Sequence, residues 1–261
     1  MDLGLKGRSV LVTGSSKGIG LAIARALAAE GCSPIHLNAR SRTDLEQRAA
    51  EIETDFGVKV IIHSTDLSDA NGLAVLSAVC SEVDILVNNA GAIPRGSVLE
   101  IDEASWREAW DVKVFGYINL TRAALGAMLK RGSGVILNIV GNAGERPNAA
   151  YVAAGAGNAA LIYFTEAIGG RSLDEGVRVL GLNPGPVATE RFITGARGRA
   201  GEVFGDPERW RETLSELPLG RPATPEEVAS LATYLVSDQA GYISGSMVRI
   251  DGGLNSRPPP I

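Results

Sequence analysis

Ser9-Val10-Leu11-Val12-Thr13-Gly14-Ser15-Ser16-Lys17-Gly18-Ile19-Gly20 is the stretch whose reading decides the fold. A short apolar run ends in a glycine-punctuated turn, and the alanine-rich pattern Leu21-Ala22-Ile23-Ala24-Arg25-Ala26-Leu27 follows at once. The order is strand, tight turn, helix. Glycines let the backbone turn sharply and bring bare N–H groups close to an anion at the helix N-terminus. A dinucleotide pyrophosphate is the usual occupant of such a turn. Gly14, Ser16, Lys17, Gly18, Ile19 and Gly20 are therefore the first candidate cofactor residues.

Outward from this turn, strand-like and helix-like segments alternate along the whole chain, which is the pattern of a parallel sheet covered on both faces. Strands are predicted near 9–13, 35–39, 58–63, 83–88, 134–140, 177–182 and 247–250. Helices fill the gaps at about 18–30, 42–56, 69–80, 103–130, 150–172 and 225–236. Gly31, Gly57 and Gly176 each fall between a helix and the next strand, where a C-cap glycine belongs. The 261 residues, 45% hydrophobic and 21% charged, suit one α/β domain over 1–261. The expected fold is a single Rossmann-like, doubly wound parallel sheet of about seven strands. The piece from Glu190 to Leu217 reads as irregular, with Gly195, Gly198, Gly201 and Gly205 among charged residues. It follows a strand end, where open α/β sheets bind ligands, so 190–217 is expected to be a mobile substrate lid; the plainer reading is a solvated loop. The tail Ser256–Ile261, with Pro258-Pro259-Pro260, reads as an extended end.

Composition excludes several functions. The net charge of −5 and the lack of a basic run argue against nucleic acid. Cys32 and Cys80 are too few for a disulfide framework, and His36 and His63 lack partners at ligand spacing, so no metal site is expected. No apolar run approaches the roughly 20 residues of a membrane helix, and no signal peptide is expected. A soluble, cytoplasmic protein is expected.

The second strand is followed by Leu37-Asn38-Ala39-Arg40-Ser41-Arg42. An NAD site usually has Asp or Glu here to hold both ribose hydroxyls. Ala39 offers no carboxylate, whereas Arg40, Arg42 and Lys17 would surround a 2′-phosphate through charge-assisted bonds. NADP(H) is favoured over NAD(H). Asp66, in Thr65-Asp66-Leu67, is placed either for the adenine amino group or as a helix N-cap, a task that suits Ser68 and Asp69 better.

Thr13-Gly14-x-x-x-Gly18-Ile19-Gly20, Asn88-Asn89-Ala90-Gly91, Asn183-Pro184-Gly185 and Asp251-Gly252-Gly253 together resemble the short-chain dehydrogenase/reductase family. The match runs on through Gly220-Arg221-Pro222 and Pro225-Glu226-Glu227-Val228-Ala229. The resemblance implies one Rossmann-like domain, a nicotinamide cofactor, hydride transfer with a small-molecule substrate, and a homo-oligomer, tetramer or dimer, built through the helices near 103–130 and 150–172. It also implies that Asp66 and Leu67, Asn89, Ala90 and Gly91, Pro184 and Gly185, and Val187 and Thr189 border the cofactor, the last two at the nicotinamide carboxamide.

The family's usual chemistry rests on Asn, Ser, Tyr and Lys. In a gap-free register resembling the beta-ketoacyl carrier-protein reductases, these positions fall at Lys113, Gly141, Ala154 and Asn158. All four are changed. Tyr151 lies seven before Asn158, about 20° around and roughly 10 Å along a helix, so both would look out from one face. This spacing resembles that of the enoyl carrier-protein reductases, with Asn at their Lys position. Lys113, among Val112, Val114 and Phe115, is expected to be desolvated and a better proton donor near neutral pH, or else a stem-packed lysine whose head reaches water. Asn158 is placed to hydrogen-bond the nicotinamide ribose. Glu145 is an outside acid/base candidate or half of a Glu145–Arg146 surface pair. Tyr151, Lys113 and Asn158 are the candidate catalytic residues of an NADP(H)-dependent oxidoreductase acting on a small carbonyl, alcohol or conjugated enone. The rival is an inactive NADP(H)-binding homologue that serves as a binding or assembly partner; a lyase or isomerase has no residue pointing to it.

Overall fold

The computed structural model describes residues 2–257. The proline tail expected to be extended begins at Ser256 and lies, from Pro258 on, outside the described residues. Seven strands form one parallel sheet: β1 (Val10–Thr13), β2 (Ile35–Ala39), β3 (Val60–Ser64), β4 (Ile85–Asn88), β5 (Gly134–Ile139), β6 (Val177–Pro184) and β7 (Met247–Ile250). Their order is β3-β2-β1-β4-β5-β6-β7. The chain reverses its direction of travel between β1 and β4, and such a switch point opens a crevice at the carboxyl ends of the strands. Every residue of β5 and β6 is buried, as expected of central parallel strands covered on both faces.

The covering helices are α1 (Gly18–Ala29), α2 (Arg42–Phe56), α3 (Ala70–Cys80), α4 (Glu103–Trp110), α5 (Gly116–Arg131), α6 (Val152–Ser172), α7 (Glu190–Phe204) and α8 (Pro225–Val236). Val10 and Val12 face one core with Leu27 of α1, Ile52 of α2 and Leu235 of α8. Leu11, between them, faces the other with Leu76 of α3 and Leu120 of α5. The period of two along β1 thus feeds both layers. Each such aliphatic side chain contributes about 1.5–3 kcal/mol on burial. Helix starts follow their capping residues: Ser41, Asp69, Asp102 and Thr189 each accept from a backbone N–H of the next turn, and Thr224 with Glu227 forms a capping box. Gly57 and Gly176 close their helical segments in the left-handed conformation.

Two segments differ from expectation. The helix predicted over 103–130 is interrupted at Asp111–Phe115 by a π turn, which inserts one extra residue and carries Lys113. Residues 190–217 are not irregular: α7 takes the first half, and 3₁₀ turns cover Pro207–Leu214 and Pro218–Gly220. The Thr189 cap and the buried pair Ala196 and Ala200, one turn apart, outweigh the helix penalty of the interior glycines, about 1 kcal/mol each. His36 and His63, on neighbouring strands, meet each other at 2.9 Å between Nδ1 and Nε2. Burial pushes the His36 imidazole down to about 4, so the pair is neutral, one ring donating and the other accepting. No helix among the described residues is long and apolar enough to cross a membrane.

Candidate functional site

The first half of the crevice is the glycine turn, locked from both sides. Thr13 Oγ1 accepts from the backbone N–H groups of Asn89 (2.9 Å) and Ala90 (3.0 Å). Asn89 Nδ2 donates in return to the carbonyls of Thr13 (3.0 Å) and Gly14 (3.2 Å). Ser15 exchanges bonds with Asn38 of β2, accepting on Oγ from its N–H at 2.9 Å. A Cβ at Gly20 would overlap the Gly14 carbonyl and the Asn89 amide, so only glycine permits this closeness. Lys17, the residue before α1, makes no side-chain cap, which leaves the first N–H groups of α1 open to the crevice. That uncapped, positively polarised helix end fits a dinucleotide diphosphate. Ser16 and Ile19 are half-buried in the same turn, and the position where Gly18 would carry a Cβ lies 3.3 Å from the Thr189 methyl.

At the end of β2, Arg40 is mostly exposed, its Nη1 3.9 Å from Asp66 Oδ2. Asp66 accepts on Oδ1 from the N–H and hydroxyl of Ser68, while Asp69 caps α3. The cap alternative for Asp66 therefore falls away. Arg42 pairs with Glu46, and Lys17 pairs with Glu190 at 3.0 Å, across the glycine turn from α7. Leu67 is buried in the second core. On the far side, the Gly185 N–H donates to Ile250, Pro184 ends β6, Val187 bridges to Ala223, and Thr189 caps α7.

The second half lies at the end of β5. Lys113 reaches from the π turn, with its stem packed against Gly91, and donates from Nζ to the Val140 carbonyl at 2.7 Å. The Tyr117 ring lies 5.8 Å from the ammonium. Burial, with a smaller push from the Arg191 charge, lowers the Lys113 pKa to about 8. Gly141 follows Val140 with φ of +123°, a backbone conformation that L side chains rarely adopt. Asn158, 5% exposed, donates from Nδ2 to the Gly141 carbonyl at 3.4 Å, while its Oδ1 is buried without a partner. That orphaned acceptor fits a ribose hydroxyl. Lys113, Gly141 and Asn158 thus converge on one strand end. Ala154 lies apart, buried with Ile93, Ile101 and Ala153.

Tyr151 is placed differently from the expectation of a shared helix face. α6 begins at Val152, and Tyr151 precedes it at φ −148°, ψ 36°. A non-helical residue does not follow the 100° rotation, so the alignment with Asn158 does not hold. Its ring packs on the apolar cluster that also holds Trp106 and Trp110, with the Arg95 guanidinium 5.2 Å from the ring centroid. It makes no hydrogen bond to Lys113 or Asn158. Glu145 is paired not with Arg146 but with Arg249, and it accepts from Asn183 Nδ2 at 2.7 Å. Asn183 Oδ1 in turn accepts from the Gly141 N–H at 3.2 Å. Arg191 and Arg95 were not among the expected site residues. Arg191 donates to the Gly91 carbonyl at 3.2 Å from the first turn of α7. The available signal was a basic residue just beyond a strand end.

Residues 8–197 match the family described as short chain dehydrogenase. Galactitol 2-dehydrogenase (L-tagatose-forming) of Cereibacter sphaeroides is 34% identical, over 95% of either chain. A 3-oxoacyl-acyl-carrier-protein reductase of Vibrio cholerae is 33% identical, over 97% of this chain and 99% of its own. The crystal structure of L-sorbose reductase from Gluconobacter frateurii, complexed with NADPH and L-sorbose, superposes with a TM-score of 0.91. It is 32% identical over 99% of this chain and all of that one. With its parallel sheet, glycine turn and crevice, this chain belongs to the short-chain dehydrogenase/reductase family of NAD(P)-using oxidoreductases.

Proposed function

We propose that the protein is an NADP(H)-dependent oxidoreductase of a small carbonyl, alcohol or conjugated enone, working through a displaced catalytic apparatus. The observation that carries this reading is the Lys113 ammonium, held on the Val140 carbonyl beside Gly141 and Asn158 with its pKa near 8. The nicotinamide supplies the hydride when bound. Lys113 supplies the positive charge, and at neutral pH the proton, that a Lys–Tyr pair provides elsewhere in the family. Asn158 Oδ1 accepts from the nicotinamide ribose, and the open end of α1 holds the diphosphate. Arg40, Arg42 and Lys17 receive the 2′-phosphate, Lys17 by exchanging Glu190 for it. α7 and the turns after it, over 190–217, act as the substrate lid, and the Lys17–Glu190 pair holds them down. Phe115 (50% exposed) and Tyr163 (76% exposed) line helical surface through which copies associate as a homo-oligomer.

A second reading, an inactive NADP(H)-binding homologue, is favoured by one observation: Ala154, in the register of the usual acid, is buried in an apolar cluster. One experiment separates the two. NADPH and NADH binding is followed by fluorescence, then oxidation is measured against a panel of ketones and enones, with Lys113→Met and Tyr151→Phe beside the wild type. Turnover that Lys113→Met abolishes with cofactor affinity intact supports Lys113; the same loss in Tyr151→Phe alone moves the proton to Tyr151. NADPH binding without turnover on any panel member favours the inactive homologue.

A further inference from the structure

Two cationic side chains contact Gly91. The Lys113 stem packs on its α-carbon, and the Arg191 guanidinium bonds to its carbonyl. The two like charges are close enough for Arg191 to depress the Lys113 pKa. A third cation, Arg95, comes four residues later and stacks over Tyr151. The loops are fixed relative to each other, because Gly96 bridges to Tyr151 and its N–H donates to Ala150 at 3.0 Å.

Among the described residues no carboxylate lies within 4 Å of Lys113, Arg191 or Arg95. Glu190, next to Arg191 in the chain, is engaged with Lys17, and Glu145 with Arg249 and Asn183. Lys113 and Arg191 sit on neighbouring carbonyls, of Val140 and Gly91, with no counter-charge; that like-charge proximity is unfavourable, and an arriving anion reverses the cost. Guanidinium forks match a planar carboxylate by bidentate, charge-assisted bonds.

We propose that Arg191 and Arg95 read a carboxylate on the substrate, which makes the substrate a short oxo acid or its hydroxy acid. This rests on the oxidoreductase reading above and deepens it. The rest of the substrate lies against the partly exposed aromatic side chains of Trp106, Trp110 and Tyr151, which cover the apolar cluster beside Arg95. A cofactor phosphate is the other source of an anion here. The placement favours the substrate, because Arg191 and Arg95 stand at Lys113 and Tyr151, whereas Lys17 stands at the open end of α1.

The test uses the full chain saturated with NADPH. Pyruvate, 3-methyl-2-oxobutanoate, 4-oxopentanoate and 2-oxoglutarate are compared with their methyl esters, by the change in bound-NADPH fluorescence and by turnover. The wild type is expected to bind at least one acid about tenfold more tightly than its ester, and Arg191→Gln is expected to erase that preference. Arg95→Gln weakens it about threefold, and both variants keep NADPH affinity within about twofold. Binding of acids without turnover leaves this proposal standing while the reductase reading fails. Equal affinity for acid and ester overturns it, as does absence of binding by every acid. So does loss of NADPH affinity in Arg191→Gln with the acid preference intact, which assigns Arg191 to the cofactor.

Discussion

The two halves of the crevice are held by different means. At the glycine turn, main chain is held close to main chain: the side chains of Thr13, Asn89 and Ser15 bond to main-chain groups, and Gly14 and Gly20 leave no room for a Cβ. At the end of β5 the positions in play are side chains, Lys113 and Asn158, placed around one glycine of positive φ, with Tyr151 on the apolar cluster beyond them. Main-chain geometry tolerates little change in sequence, because every altered atom displaces a neighbour. A side-chain site on the same scaffold can be rewritten while sheet and turn stay put. The glycine turn is therefore the part of the crevice fixed by packing, and the end of β5 the part set by side-chain chemistry.

The largest effect that would break this contrast is expected at Gly20. Gly20→Val forces the turn open, and NADPH affinity should fall at least about a hundredfold in a fluorescence titration, with the far-ultraviolet circular dichroism retained. Affinity near that of the wild type would mean that the turn is softer than its packing implies. Next comes Lys113→Met, which keeps the stem on Gly91 and removes the charge. Its kcat should drop about 10²- to 10³-fold with NADPH binding unchanged.

The same residue has a pH signature. Carbonyl reduction that takes its proton from Lys113 slows as pH rises through about 8, alcohol oxidation speeds up over the same range, and both limbs vanish in Lys113→Met. Because the folded pKa is depressed, the unfolded chain binds more protons between about pH 8 and 10.5. Lys113 therefore penalises folding fully below 8, and the wild type gains stability over the variant as pH rises through that window. A flat difference between the two would remove the desolvated lysine from the account.

Arg40→Ala sharpens the contrast on the cofactor side. It should weaken NADPH about tenfold and NADH by less than about twofold. Equal losses would return the preference to NAD(H). The smallest effect is expected from Glu145→Gln, which loosens the strap from Arg249 through Asn183 to Gly141. A kcat reduced about threefold and a midpoint lowered by a few degrees are expected; an unchanged rate would make the strap purely structural.

Much of the fold was legible in the residues. All seven predicted strands lie within two residues of those observed, because buried parallel strands announce themselves as apolar runs closed by turn residues. The start of α3 was legible in its cap, Asp69. Residues 190–204 were misread because Gly195 and Gly198 suggested a loop, whereas the burial of Ala196 and Ala200 is visible only in the packed structure. The π turn at Asp111–Phe115 has no local sequence mark, since it arises where α4 and α5 settle against different neighbours. Tyr151 shows a limit of spacing arguments: a seven-residue interval aligns side chains only if both ends are helical. The partner of Glu145 was out of reach for a simpler reason, because Arg249 is more than a hundred residues away in the chain.

The backbone at Gly141 closes a route through sequence space. A serine at 141 alone would put a side chain where φ is +123° and where a Cβ meets the Asn158 amide nitrogen at 3.1 Å. A lysine at 158 alone would bring a second ammonium towards Lys113. Each single change is unfavourable until others accompany it. An engineer seeking the ordinary four-residue site in this scaffold must install the changes together, with the loop from Val140 to Glu145 rebuilt around them.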